Sequence, residues 1–139
     1  MKKRICSLLV IFVCCLACMK PAFAEETIVT PQWEEVTSIY CTLDSYNGLL
    51  SNSKVSCSVV AKYSDYGISL TVSVQKYSNG ILVDTGNSWT TSGTNSLDFN
   101  KTCSLSKGVY VAHAVAVITN PAGQYVETVT WDSAEYYVY

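Results

Sequence analysis

The only histidine of the chain, His113, is the first residue to consider for chemistry, because a Ser-His-Asp or Cys-His site would have to use it. His113 lies between alanines in an apolar stretch, and alternation turns its side chain away from the predicted core. The sequence contains no Gly-x-Ser-x-Gly motif. The acidic pairs Glu25-Glu26 and Glu34-Glu35 lie in an irregular segment that cannot hold two carboxylates at a fixed separation. We therefore predict no catalytic residue and a protein that is not an enzyme.

Metal-ligating residues are too scattered along the chain to form a site. A zinc site takes three or four Cys and His ligands at close spacing. By alternation His113 faces outward, whereas Cys41, Cys57 and Cys103 face inward. The turn Asp84-Thr85-Gly86-Asn87 offers one carboxylate, far fewer oxygen ligands than a calcium loop. We predict neither a bound metal nor a cofactor.

The cysteines suggest structural chemistry instead. Four of the seven precede residue 19, which leaves Cys41, Cys57 and Cys103, enough for one disulfide and one free thiol. If the first, second and fifth strands share a sheet with the second in the middle, Cys57 pairs with either Cys41 or Cys103. The first pairing spans a hairpin, and the second constrains more chain. Three buried free thiols, acting as small apolar residues, are the remaining alternative.

The N-terminus has the three parts of a secretory signal peptide. Basic residues 2–4 precede the uncharged apolar run Ile5–Met19, whose length of about 15 residues is short of a membrane span. Ala22-Phe23-Ala24 then supplies the small-x-small pattern that signal peptidase cleaves. We predict a signal peptide over 1–24, cleavage after Ala24 and secretion. Attachment of a lipid to Cys18 stays open as an alternative.

Removal of this leader changes the charge balance. Four of the nine basic residues leave with it, so five lysines remain against eleven acidic residues, a formal net charge of −6. Such a balance argues against nucleic acid and anionic membrane surfaces as partners, because both require a basic face. The remaining chain of about 115 residues has the length of one domain, and it contains no apolar run long enough to span a membrane.

Strict alternation of apolar and polar residues predicts an all-β fold for the rest of the chain. The third predicted strand is the clearest, and Asn79-Gly80 after it is a strong hairpin signal. About seven such strands, with turn residues every 8–15 positions, predict a single two-sheet antiparallel sandwich of immunoglobulin type. We place an extended lead-in at residues 25–37 and the sandwich domain at 38–139.

Two resemblances add to this prediction. The stretch Gly108-Val109-Tyr110-Val111-Ala112 resembles the Gly-x-Tyr-x-Cys stretch of immunoglobulin domains, with Ala112 in place of the second cysteine. This resemblance implies that Tyr110 is the corner tyrosine, whose hydroxyl bonds a nearby backbone group. The chain departs from the immunoglobulin pattern at Ala112, so the disulfide that joins the two sheets in those domains cannot form.

The second resemblance is to a family of short secreted proteins of unknown function from Gram-positive bacteria. It covers nearly the whole chain after the leader and implies a β-sandwich outside the cell. The matching segments are strand and turn patterns, namely Thr37-Ser38, Cys57-Ser58, the run from Ile68 to Lys76, the turn from Leu105 to Tyr110, and Glu127-Thr128-Val129-Thr130.

The sixth predicted strand carries the best candidate for a partner surface. Val111, Val115 and Val117 share the outward face with His113, so both faces of this strand are apolar. A central strand that the lead-in segment or a loop partly covers is one explanation, because exposed apolar patches are uncommon on monomers, and a partner surface is the other. Ten tyrosines add side chains that suit binding. We predict a secreted, non-catalytic module that binds or adheres to an unidentified protein or glycan. A secreted effector or enzyme inhibitor acting through its loops is the alternative, and a hydrolase using His113 comes last.

Overall fold

The computed structural model of the protein describes residues 33–46 and 49–139. The predicted signal peptide, Cys18 and residues 25–32 of the predicted lead-in lie outside this part. The described residues form eight strands and no helix, and none of them belongs to a membrane-spanning helix. The predicted all-β fold is therefore confirmed. The strands are β1 (Val36–Tyr46), β2 (Leu49–Ala61), β3 (Gly67–Ser78), β4 (Ile81–Thr94), β5 (Ser96–Ser104), β6 (Gly108–Thr119), β7 (Tyr125–Asp132) and β8 (Tyr136–Val138).

The strands form two antiparallel sheets. The first sheet has the order β1-β2-β5, and the second has the order β4-β3-β6-β7, with β8 paired to the start of β6. The expected sheet of strands one, two and five, with the second in the middle, is therefore confirmed. The fourth strand pairs with β3 in the second sheet, whereas the fourth strand of a constant-type immunoglobulin domain joins the first sheet.

The core lies between the sheets and is built by alternation. In β3, every second residue from Ile68 to Val74 is buried, with exposures of 2% or less, while the residues between them are partly exposed. The facing strand β2 follows the same rule from Val55 to Ala61. Apolar side chains of both sheets thus fill one interior, as the period of two predicts.

The edge strand β7 ends at Asp132, and a break over residues 133–135 separates it from β8. The backbone N–H of Ser133 donates to the carbonyl oxygen of Ala112 at 2.9 Å, and the Ser133 hydroxyl accepts from the N–H of Ala112 at 2.9 Å. These two bonds replace the regular ladder at the break. The chain then resumes pairing with β6 as β8, where Tyr136 lies opposite Tyr110.

The first strand begins inside the predicted lead-in. Val36 is buried and pairs with Ala61, so residues 36 and 37 belong to β1 and not to a segment that precedes the sandwich. Just before it, the carboxylate of Glu127 accepts hydrogen bonds from the backbone N–H groups of Glu34 and Glu35, at 3.3 and 2.9 Å. These bonds join the start of β1 to β7 of the other sheet.

Two turns hold the ends of strands in place. Asn79 and Gly80 have positive φ angles of 52° and 82°, the backbone that a two-residue hairpin requires, so the chain passes directly from β3 to β4. At the β5–β6 connection, the hydroxyl of Tyr110 donates to the carbonyl oxygen of Ser106 at 2.6 Å. Tyr110 is 2% exposed, and this bond has the form that the immunoglobulin resemblance implies.

Candidate functional site

The outer face of the second sheet, which points away from the core, is mostly small and polar. Hydroxyl side chains of β3, β4 and β7 point outward on this face, and the register places those of β3 opposite those of β4. One such pair is hydrogen-bonded, with 3.0 Å between the side-chain oxygens of Thr71 and Thr90. The hydroxyl residues of this face are Ser69, Thr71, Ser73, Ser88, Thr90, Ser92, Thr128 and Thr130.

The residues predicted as a partner surface lie on this face along β6. His113, Val115 and Val117 are half-buried among their neighbours. Val111 is only 4% exposed although it does not belong to the core between the sheets. It lies opposite the break between β7 and β8, where the chain follows an irregular path. Val111 therefore offers almost no area to a partner, and the accessible part of the predicted surface is small.

His113 has a polar neighbour that the sequence did not reveal. Its Nδ1 lies 2.5 Å from Oδ1 of Asp132, its partner in the register of β6 and β7. On the other side, Ser73 of β3 lies opposite His113. Serine, histidine and aspartate thus follow one another across three strands, but no hydrogen bond joins the serine to the histidine. The hydrogen-bonded contact at this position is therefore the polar cross-strand pair of His113 and Asp132.

The largest concentration of exposed apolar side chains lies at one end of the second sheet. We name it the hairpin patch. Among residues 33–46 and 52–139, whose side chains the structure describes, ten large apolar residues are exposed. Six of them lie here, and these six include the three aliphatic ones. The hairpin patch consists of Tyr77, Ile81, Leu82, Val83, Tyr137 and Tyr139.

The register explains why these side chains meet. Pairing of β3 with β6 ends at Lys76, and the residues that follow pair only with β4. Tyr77 lies opposite Leu82 on the outer face, whereas Ile81 and Val83 point to the other side of the hairpin. Ile81 is nevertheless 65% exposed, because the first sheet does not cover this end. Apolar groups therefore surround the hairpin on both sides.

Tyr137 extends the patch onto β8. It lies opposite Val109 of β6, and its hydroxyl donates a hydrogen bond to the carboxylate of Glu135 at 2.6 Å. This hydrogen bond, together with the negative charge of Glu135, raises the pKa of Tyr137.

The cysteines lie at the other sheet. A disulfide joins Cys41 of β1 to Cys57 of β2, which face each other in the register with Cα atoms 4.0 Å apart. A disulfide is therefore present, and its partners are the first of the two predicted alternatives. Cys103 of β5 is free and half-buried, and burial raises the pKa of its thiol.

Cys103 also lines a shallow groove of about 240 Å³ at the end of β2 and β5. The other lining residues are polar or aromatic, namely Tyr46, Asn52, Thr102 and Ser104. Ser53 lies opposite Cys103 in the register, and its fully buried hydroxyl has no hydrogen-bond partner. The groove does not include this hydroxyl, so the two features do not form one site.

One signal for the hairpin patch was present in the sequence. Ile81, Leu82 and Val83 follow the Asn79-Gly80 turn without a polar residue between them, although a strand with one wet face alternates. This run indicates a strand end that is apolar on both sides. The pairing of His113 with Asp132, in contrast, depends on the register of β6 and β7, which local sequence does not specify.

Comparisons of the chain with protein-family models, with curated proteins and with solved structures found no match. The resemblance to secreted proteins of Gram-positive bacteria therefore stays a prediction. The function has to be argued from the surface of the molecule.

Proposed function

We propose that the chain is a secreted, non-catalytic module that binds a protein partner outside the cell through the hairpin patch. The observation that carries this proposal is the grouping of three exposed aliphatic side chains, Ile81, Leu82 and Val83, beside exposed tyrosines. Exposed apolar residues scattered singly are ordinary, whereas a contiguous group bordered by polar residues marks an interaction site.

The composition of the patch favours a protein over a glycan. Sugar binding uses flat aromatic faces with many hydrogen-bonding groups beside them, whereas the tip of this hairpin presents adjacent aliphatic chains. Aliphatic and tyrosine side chains with a charged border are typical of protein interfaces. The border here includes Asp84, Lys107 and Glu135, all exposed.

The shape of the patch limits the kind of partner. Because apolar groups project from both sides of the hairpin, a partner that covers all of them must enclose the hairpin in an apolar cleft. This feature also favours the alternative role of an inhibitor that inserts its hairpin into the cleft of a hydrolase. The inhibitor role predicts that the protein forms a tight one-to-one complex with a secreted hydrolase and that the hydrolase loses its activity in this complex.

Secretion is part of the same proposal. The N-terminal residues have the charge pattern and the cleavage motif of a signal peptide. The Cys41–Cys57 disulfide supports an oxidising location, because disulfides seldom persist in the cytosol. The intact mass of the protein recovered from the culture medium tests this step, since it shows whether the chain begins at Glu25. A mass that retains residues 1–24 would contradict it.

Binding is tested with a patch variant and a matched control. Secreted protein is used to capture surface and secreted proteins of the producing cells, and the captured protein is then purified for a direct affinity measurement. We expect Ile81→Ser/Leu82→Ser/Val83→Ser to lose this partner. The control Tyr40→Ser/Tyr125→Ser removes exposed rings elsewhere and should bind like the wild type. Equal affinity of the patch variant and the wild type would overturn the proposal.

A further inference from the structure

One row of side chains crosses the outer face of the second sheet at its hairpin end. Tyr77 lies opposite Leu82 of β4, and Tyr137 lies opposite Val109 of β6. The register of β3 with β6, continued by one residue beyond Lys76, brings Tyr77 beside Val109. The four side chains therefore follow one another across four strands, and we name them the tyrosine row.

An exposed carboxylate lies near each end of the tyrosine row. Asp84 follows Leu82 by two residues on β4, so it lies on the same face one step further along the strand. Its Oδ1 accepts a hydrogen bond from the backbone N–H of Gly86 at 2.9 Å. At the other end, Glu135 precedes Tyr137 by two residues, and the 2.6 Å hydrogen bond from the Tyr137 hydroxyl holds its carboxylate on this face.

No lysine balances these two carboxylates on the outer face of the described strands. The strands of the second sheet contain one lysine, Lys76, which alternation turns to the inner side and whose Nζ donates to the carbonyl oxygen of Lys107 at 3.0 Å. Lys107 itself is exposed in the turn before β6, beyond the tyrosine row and away from the two carboxylates. The third outer carboxylate, that of Asp132, is paired with His113. The hairpin end of this face is therefore acidic.

We infer that the protein partner of the hairpin patch presents two basic side chains to Asp84 and Glu135, with apolar groups between them on the tyrosine row. This inference rests on the proposed function of the patch. Neighbouring strands are about 4.8 Å apart, so the three spacings from β4 to β8 separate the two carboxylates by about 14 Å. An extended segment spans that distance in four residues, so basic residues at positions i and i+4 of the partner fit the two carboxylates.

Charge and ring chemistry both favour cations at these positions of the partner. Complementary charges across an interface steer association, and like charges exclude wrong partners. The faces of Tyr77 and Tyr137 also attract a cation. A guanidinium beside Tyr137 can contact this ring and pair with the Glu135 carboxylate, which accepts no hydrogen bond other than that of the Tyr137 hydroxyl within the described residues.

Two synthetic peptides of five residues test this charge preference. One has the sequence Arg-Leu-Trp-Leu-Arg and the other Glu-Leu-Trp-Leu-Glu, both with blocked ends, so that they differ only at the charged positions. The secreted protein should bind the arginine peptide about tenfold or more tightly than the glutamate peptide in low salt, and the difference should shrink as salt is added. Equal affinity for both peptides, or binding of neither, would overturn the inference.

Charge reversal at the two carboxylates tests whether they cause the preference. Asp84→Lys/Glu135→Lys should bind the glutamate peptide more tightly than the arginine peptide. The control Asp65→Lys/Asp98→Lys has the same net charge, with its changes at exposed positions elsewhere, and should keep the wild-type preference. Asp84→Asn/Glu135→Gln keeps the oxygen atoms that accept the internal hydrogen bonds and should lose most of the preference. If the control reverses its preference as well, net charge alone is responsible and the inference is wrong.

The captured partner separates this inference from the proposed function. Asp84→Lys/Glu135→Lys, folded by circular dichroism, should bind the partner about tenfold or more weakly than the wild type, and Asp65→Lys/Asp98→Lys should bind it like the wild type. If Ile81→Ser/Leu82→Ser/Val83→Ser loses the partner while the charge-reversed variant keeps wild-type affinity, the inference fails and the proposed function stands. If the serine variant also keeps wild-type affinity, both fail.

Discussion

The two sheets of the molecule bury similar apolar faces but differ in how they are held and in what they expose. The first sheet is cross-linked by the Cys41–Cys57 disulfide, and its outer face carries polar contacts such as the 2.9 Å hydrogen bond from the Ser56 hydroxyl to Asn100. The second sheet has no disulfide, and it ends in the apolar hairpin patch. The difference indicates that the first sheet stabilises the fold, whereas the second sheet stabilises the fold and also carries the exposed hairpin patch.

The largest expected effect is on the core of the second sheet. Leu70 of the central strand β3 has no exposed area, so Leu70→Ala leaves a cavity and should lower the free energy of unfolding by about 3–4 kcal/mol. The control Leu82→Ala removes the same atoms from the hairpin patch and should cost less than about 1 kcal/mol. Urea denaturation measures both values. Similar losses would mean that the hairpin end is as important to folding as the core.

The disulfide of the first sheet should contribute the next largest effect. Its removal in Cys41→Ala/Cys57→Ala should lower the free energy of unfolding by about 2–3 kcal/mol, because the bridge closes a loop of 16 residues in the unfolded chain. The control Cys103→Ala changes the free cysteine of the same sheet and should have a smaller effect. A disulfide variant as stable as the wild type would show that strand pairing alone holds this sheet.

A smaller effect is expected at the connection between the sheets. Tyr110→Phe removes the hydroxyl that bonds the carbonyl oxygen of Ser106 and should cost about 1 kcal/mol. Tyr125→Phe removes a hydroxyl from an exposed ring and should leave the melting temperature unchanged. If both variants melt alike, the Tyr110 hydrogen bond contributes nothing to stability.

The smallest effect is predicted for thiol chemistry at Cys103. Because burial raises the pKa of this thiol, less of it is thiolate at neutral pH, and its alkylation should be slower than that of an exposed cysteine. Ser104→Cys in the background Cys103→Ala supplies an exposed thiol on the same strand as a reference. Equal alkylation rates at one pH would show that burial does not control reactivity here.

The sequence predicted the fold well because alternation and turn residues are local signals. The alternation of β3 and the Asn79-Gly80 hairpin both follow from residues close in the chain. The sequence predicted the start of β1 two residues too late. The backbone just before this strand is bound by the carboxylate of Glu127, which lies some ninety residues away in the chain, and local patterns do not contain such a contact.

The candidate site was harder to predict. Alternation placed Val111 on an outward face but could not reveal that the irregular chain between β7 and β8 lies opposite it. The hairpin patch joins residues of β3, β4 and β8, and only the pairing of these strands brings them together. The β3–β4 hairpin is exposed on both sides because the first sheet ends before it. The position of that end cannot be predicted from the local sequence of the hairpin.

The affinity of the captured partner for the patch variant tests the central claim most directly. If the hairpin patch is the binding surface, Ile81→Ser/Leu82→Ser/Val83→Ser should raise the dissociation constant by about a hundredfold or more, since the few residues at the centre of an interface carry most of the binding energy. Its free energy of unfolding should stay within about 1 kcal/mol of the wild type, because the three side chains lie outside the core. An unchanged dissociation constant in this folded variant would contradict the account.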